Sequence, residues 1–367
     1  MLKKLKTLIK NMLAIKWFRK SYEFINRLIL EFFASNRVFA TFYSILGLLT
    51  FNREQYAVLR ARRNYYRNYN KDRSNSVELR RNIHRLEKGM IMQPRRSIFA
   101  RDYIGETIDY YEKFSTSYNK NKSIMDETEL QWAHDVLGRY FSLVDTNDKV
   151  IGSAYVKYQE TLGGYACKTK EIKVPHPHKD GQKSDISYDE MLKLALQRRS
   201  VRWFRKKSVP RKLLDQALMV GRQSPSACNR LPYKFRVFDD PKLVKKIASI
   251  PFGATGYSHQ IPTIIVVTGE LDYYFSPRDR HIIYIDASLA AMSFMFALET
   301  LGLSSSVINW PDFEPLEIKM QKALGLDASE RVVMLIAVGF ADPNGGVPYS
   351  QKKNLDSIRT YNELPKK

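Results

Sequence analysis

Two unbroken apolar runs constrain this chain most: TIIVVTGEL at 263–271 and RVVMLIAVGFAD at 331–342. Neither alternates apolar with polar, so each reads as a strand buried in a core. Between them YIDASLAAMSFMFALETLGL (284–303) is apolar for too long to be a strand. It reads as a core helix, with Ala287, Ala290 and Ala291 as a small-residue face suited to close packing. YKFRVFDD (233–240) alternates like a strand, and SSSVINW (304–310) supplies a fourth. Upstream, Ser187 and Glu190 make a capping box, with Ile186 and Met191 as its hydrophobic staple. That helix carries Leu192, Ala195 and Leu196 toward Arg198, and a second helix with Leu213, Leu214, Ala217 and Leu218 follows Pro210. Helices and strands alternate irregularly, which means an α+β or α/β architecture. No GxGxxG follows a strand and no GxxxxGK[ST] occurs, so neither a Rossmann dinucleotide site nor a P-loop is supported.

The 367 residues leave room for more than this domain, and charge marks where the remainder differs. Of the net charge of +22, residues 1–100 carry +16 and residues 101–367 only +6. An anionic surface is therefore expected to face the first part of the chain. Leu2, Leu5, Leu8/Ile9 and Met12/Leu13 recur at helical spacing opposite Lys3, Lys4 and Lys10, the pattern of a basic amphipathic helix. The uncharged run 38–52 falls short of the ~20 residues that span a bilayer. It suits either a helix packed on the protein or one lying in a membrane interface. The two cysteines, Cys167 and Cys228, give no disulfide framework, so a reducing cytoplasm is the expected setting, with peripheral attachment at the inner face of the membrane.

In EQYAVLRARRNYYRNYN (54–70), Tyr56, Tyr65, Tyr66 and Tyr69 interleave with Arg60, Arg62, Arg63 and Arg67. Stacking on nucleic acid is one use for that pattern, but no binding module surrounds it, and a helix with tyrosines toward a core is favoured. Asn75 and Glu78 read as an N-cap pair for a helix striped by Leu79, Ile83, Leu86 and Met90, ending near Gly89. His84 and Glu87 lie one turn apart on it and read as a solvated polar face. Further helical patterns cover 103–114 and 132–143. The polar, Pro-interrupted stretch 165–185 includes His176 and His178 without a matching ligand, so it reads as a linker and no metal site is expected. The expected organisation is 1–54 basic and apolar, 55–164 helical, 165–185 linker, and 186–367 the α+β domain.

RRSVRWF at 198–204 then sets Arg198, Arg199 and Arg202 around Ser200 where a helix ends. It is followed by SPSACNRLPYKF (224–235) and, near the C-terminus, VGFADPNGGVPYSQKKNLDSI (338–358). In this order and spacing the three segments resemble the nitroreductase family of flavoproteins, over about 186–360. Its members open with an Arg-rich RRS.R.F element, present a PS..N.QP loop, and close with a strand, a VG turn and a basic pair. The resemblance implies a three-layer α+β fold with a central mixed sheet, FMN as cofactor, NAD(P)H as transient donor, and a homodimer acting on a small molecule.

By that resemblance Arg198, Ser200 and Arg202 contact the FMN phosphate and ribityl chain, and Lys352 or Lys353 completes the cage. Guanidinium groups suit a phosphate dianion because their paired N–H groups match its oxygens. Arg199 belongs to the same motif, although with Arg205, Lys206 and Lys207 it reads more as surface charge. Pro225, Ser226 and Asn229 fall on the loop that the family contributes from the partner subunit, and Asn309 lies where the flavin ring edge is expected. Leu231 departs from the family's glutamine, Arg230 adds a charge beside it, and the usual lid insertion is reduced to LDYYFSPRDRHI (271–282). An open flavin face, or one roofed by the upstream helices, follows, and the substrate is expected to be anionic. No catalytic side chain is nominated. The competing reading is a membrane-associated scaffold on a degenerate fold of the same kind.

Overall fold

The computed structural model describes residues 15–46, 48–68, 72–119, 127–161 and 171–364. The stripe at Leu2–Leu13 and Cys167 lie outside them. The described residues begin with α1 (Lys16–Phe33), α2 (Arg37–Leu46) and α3 (Leu48–Asn68). Four helices follow, α4 (Asp72–Met90), α5 (Ile104–Asn119), α6 (Glu127–Phe141) and α7 (Lys149–Thr161). Leu79, Ile83 and Leu86 of α4 meet Ile104, Ile108 and Tyr111 of α5 and Leu130, Leu137 and Tyr140 of α6 in one core. The stripe at i, i+4, i+7 is therefore the seam of a helical domain. α4 starts before Asn75, so Glu78 sits inside the helix, where it is 3% exposed, and is not a cap partner.

The C-terminal half is the expected α+β domain. α8 (Tyr188–Gln197) begins with the capping box, Ser187 accepting from the Glu190 N–H while the Glu190 carboxylate accepts from Ser187. Ile186 and Met191 are both exposed. α9 (Arg211–Gly221), α10 (Pro241–Ala248), α11 (Ile282–Thr300) and α12 (Glu314–Leu324) surround a sheet of four strands. These are β1 (Tyr233–Phe238), β2 (Thr263–Glu270), β3 (Ser304–Asn309) and β4 (Glu330–Gly339) in the order β1-β2-β4-β3. Ile264, Val266, Leu335 and Ala337 face α10 and α12, while Ile265, Val267, Ile336 and Val338 face α9 and α11. Both faces of the central strands are buried, which is why those runs show no polar alternation. The three layers are as expected. The named strands pair antiparallel throughout, and the parallel element of the expected mixed sheet is the bridge of Ser200 to Ser305 on the outer edge of β3.

The small-residue face of α11 is consumed inside the chain. Ala287, Ala290 and Ala291 are buried, and a Cβ on Gly221 of α9 would stand 3.1 Å from the Ala290 carbonyl. A dimer cannot use that face; Ile285 and Leu289 are the large apolar side chains that α11 leaves exposed.

The tyrosine- and arginine-rich α3 straps the two halves together. Ala57 and Ala61 pack on Leu271, Tyr274 and Ile283 in a small shared core. Arg53 grips Glu314 with two bonds of 2.5 Å, Arg60 reaches Asp327 at 2.9 Å, and Arg62 donates to the Phe275 carbonyl. These arginines spend their charge within the molecule.

Candidate functional site

The RRSVR segment runs along the outer edge of β3 and across the end of β4. The Val201 N–H donates to the Ser305 carbonyl at 3.0 Å and Arg205 N–H to Phe340 O at 2.8 Å. Phe204 then packs on Gly339, where an added Cβ would stand 2.7 Å from the Phe204 ring and 2.6 Å from Pro262. The glycine of the VGF turn is what lets this segment lie flat on the strand end.

Arg198, Ser200 and Arg202 are therefore brought to one corner of the sheet. Arg199, read from sequence as surface charge, donates to the Tyr349 carbonyl at 2.5 Å. It thereby ties the C-terminal tail beside the same corner, three residues before Lys352. Lys352 and Lys353 are themselves exposed. Most arginines of this half are neutralised: Arg211 by Asp239, Arg236 by Glu330, and Arg331 by Asp312 and Glu317. Arg198, Arg199 and Arg202 form no ion pair among the described residues, and Arg202 lies 6.0 Å over the Tyr257 ring. The carboxylate acting on Arg198 is Glu299 of α11. Burial raises the Glu299 pKa, against the hydrogen bond from Gln197 and the charge of Arg198. A half-buried cluster of unpaired guanidinium groups beside a serine fits a dianion such as a terminal phosphate.

Pro225, Ser226 and Asn229 lie elsewhere. Their loop enters β1 at Tyr233, which pairs with Gly269, while the Pro232 carbonyl accepts from Glu270 N–H opposite Glu330 at the start of β4. RRSVR sits at the other end of β4, on the opposite edge of the sheet. Both motifs also touch α11, the loop at Asp286 and Gln197 at Glu299, roughly 20 Å apart along that helix. Asn309, at the far end of β3 opposite Met334, is exposed and belongs to the RRSVR side of the sheet.

The PSACNR loop carries features that the motif did not announce. Cys228, Asn229 and Leu231 all have positive φ, at 55°, 52° and 50°. Ser226 accepts from Leu231 N–H at 3.1 Å, and Asp286 of α11 accepts from Ala227 N–H at 2.9 Å. Burial raises the Asp286 pKa against that bond and against Arg230. Arg230 points away from the loop surface, is 6% exposed, stacks 4.9 Å over Tyr274, and lies 3.7 Å from Glu78 of α4. Arg80 of α4 donates to the Asn229 carbonyl at 3.1 Å and pairs with Glu129. The sequence signal was the arginine beside the departed glutamine. His84 meets Glu87, whose other oxygen accepts from the Trp132 indole N–H at 2.8 Å. The expected polar face is thus partly engaged within the domain.

A nitroreductase family model matches residues 195–258 and 256–340, covering all four strands and both ends of the sheet. A relative described as NADH dehydrogenase, from Thermus thermophilus, is 33% identical over 183 residues, covering 41% of this chain and 86% of its own. This chain belongs to the nitroreductase family. As a member it is an oxidoreductase. It is also similar to iodotyrosine deiodinase 1 of Pongo abelii, 24% identical over 211 residues, 50% of this chain and 71% of that one. A solved FMN-dependent nitroreductase from Clostridium difficile superposes on 47% of this chain and 100% of its own, with 20% identity and a TM-score of 0.41. Within the nitroreductase domain the matched region holds every candidate site residue except Lys352 and Lys353; the helical domain lies outside it.

Proposed function

We propose that the protein is a homodimeric FMN-dependent oxidoreductase, transferring hydride or electrons from NAD(P)H or an organic donor to an anionic small molecule. The observation that carries this reading is the diagonal separation of two motifs that one flavin requires. A twofold dimer sets the RRSVR corner of one chain against the PSACN loop of the other and completes two equal sites. Surface left apolar in the monomer suits such a contact: Leu196 and Tyr188 of α8, Met219 and Val220 of α9, Ile285 and Leu289 of α11, and Leu355 and Ile358 of the tail are all exposed.

FMN bound here would supply hydride- and electron-transfer chemistry. The chain's part is to hold and enclose it. Arg198, Arg202 and Ser200 hold the phosphate end, with Lys352 and Lys353 approaching from the tail. Ser226 and Asn229 of the facing loop address the ring, and Asn309 its edge. Beside that loop stand Arg80, Arg81 and Arg230, with Glu78 and Glu129 as their ion-pair partners among the described residues. These three guanidinium groups are what favours an anionic substrate in this reading. The test is direct: the full chain should purify yellow with one FMN per subunit and consume NADH or NADPH. Arg198→Ala with Arg202→Ala should abolish flavin binding while leaving the far-ultraviolet circular dichroism unchanged. A colourless wild type that FMN does not saturate would sink the reading.

A specific observation also favours membrane association. α1 and α2 form a helical hairpin joined by Phe32 stacked on Phe39 at 4.8 Å. Trp17, Phe24, Ile25, Leu28, Phe32 and Phe42 lie exposed along it. The segment preceding it is rich in lysine, so the charge complements an anionic bilayer, and we propose that surface as the occupant.

A further inference from the structure

We infer that the helical domain is a working part of the flavin site: Glu78 and Arg80 of α4, with Arg230, form a latch that fixes the flavin-facing loop. This rests on the FMN reading above. Three non-glycine residues with positive φ within four positions form a conformation that persists only when its surroundings over-determine it. Four restraints do so. Two come from the nitroreductase domain: Asp286 on the Ala227 N–H, and Ser226 on the Leu231 N–H. The other two come from α4: Arg80 on the Asn229 carbonyl, and Glu78 beside Arg230.

Glu78 and Arg230 are both buried, at 4% and 6% side-chain exposure. The Glu78 Oε1 atom and the Arg230 Nε atom have no hydrogen-bond partner among the described residues. Their attraction is a desolvated charge contact, so removing one charge strands the other. Arg81 shares Glu78 at 2.8 Å and keeps that carboxylate aimed into the seam. The motif's departure now has a physical reason. Arg230 replaces nothing at the flavin; it anchors the loop to a domain that the family model does not include. Because the loop faces the flavin held by the partner chain, the helical domain of one subunit positions the flavin of the other. Glu78, Arg80 and Arg230 are positioning residues and touch no reacting atom.

The test uses the full-length dimer with FMN as the probe. Arg80→Ala and Glu78→Gln should each weaken FMN binding roughly tenfold or more, change the visible circular dichroism of the bound flavin, and speed reoxidation of the reduced form in air. Arg80→Lys, which still reaches the Asn229 carbonyl, should restore most of the affinity. Arg85→Ala is the control. It removes an arginine from the same helix whose partners Asp102, Asn82 and Tyr103 all lie within the helical domain, and it should leave FMN binding as in the wild type. Wild-type affinity and dichroism in both Arg80→Ala and Glu78→Gln would overturn the latch. So would an equal loss in Arg85→Ala, which would mean general loosening of the domain. If Arg80→Ala does not fold, Glu78→Gln decides alone. Failure of the wild type to bind FMN would instead overturn the proposed function, and the latch with it.

Discussion

Two chains that are each unable to bind FMN should bind it when mixed. One chain carries Arg198→Ala and Arg202→Ala, and the other carries Ser226→Trp, which crowds the flavin-facing loop. The first change removes two charge-assisted donors worth roughly 1.5–3 kcal/mol each, a loss of at least a hundredfold in affinity. Assayed at FMN concentrations that just saturate the wild type, both parents stay empty. The two altered segments meet α11 at different ends, beside Asp286 and beside Glu299, roughly 20 Å apart along that helix. In a mixed dimer one composite site therefore receives both defects and the other receives neither. Random pairing makes half of the dimers mixed, and each rebuilds one of its two sites, so occupancy should recover to about one quarter of wild type. Co-expression with two affinity tags, followed by flavin absorbance per chain, measures this. Purified mixed dimers should hold about half of the wild-type FMN. No recovery in mixed dimers of confirmed composition would refute the shared site, because a site within one chain stays broken whatever its partner carries.

Three further outcomes follow from the geometry. The Asp327 pKa is held down at about 2 by the Arg60 hydrogen bond and the Ser329 N–H and hydroxyl, which outweigh the opposing effect of burial. A carboxyl depressed below its unfolded value near 3.9 stabilises above that pH and loses the effect as pH falls toward 2; with partial exposure, ~1–2 kcal/mol is expected. Denaturant melts of wild type and Asp327→Asn should therefore differ at pH 7 and converge between pH 4 and 2; a gap independent of pH would contradict this. Gly339→Ala should destabilise by about 1–3 kcal/mol, since its methyl would stand 2.6–2.7 Å from Pro262 and Phe204. It should also weaken FMN binding by lifting the RRSVR segment; a neutral melting curve would count against that packing. Vesicle flotation should be stronger on anionic than on neutral lipid, with each basic residue near the surface adding about 1 kcal/mol; equal flotation on both would count against the hairpin as a membrane face.

Local pattern alone determined a good deal of this protein. Strand burial was legible in TIIVVTGEL and RVVMLIAVGFAD because a strand covered on both faces tolerates few polar side chains. The capping box at Ser187 and Glu190 and the stripe from Leu79 to Met90 were legible because their partners lie within one helix or on one face of it. The residue types of a phosphate-holding corner were legible in RRSVR for the same reason of sequence nearness. Tertiary structure decided what depends on partners far along the chain. Nothing in the strands announces that neighbours align antiparallel in the order β1-β2-β4-β3, yet that order sets the RRSVR and PSACN segments toward opposite corners of the sheet. Ala287, Ala290 and Ala291 look equally ready for a partner subunit or for α9, and packing against α9 and the sheet settled it. Glu78 reads as a cap from its neighbours and Arg230 as a charge added beside Leu231. Only a fold that brings residues 78 and 230 within 3.7 Å, out of water, makes them a pair. The physical reason is range: propensity, capping and periodicity act over a few residues. Desolvated charge pairs and shared sites are set by distances in space, which a one-dimensional pattern does not contain.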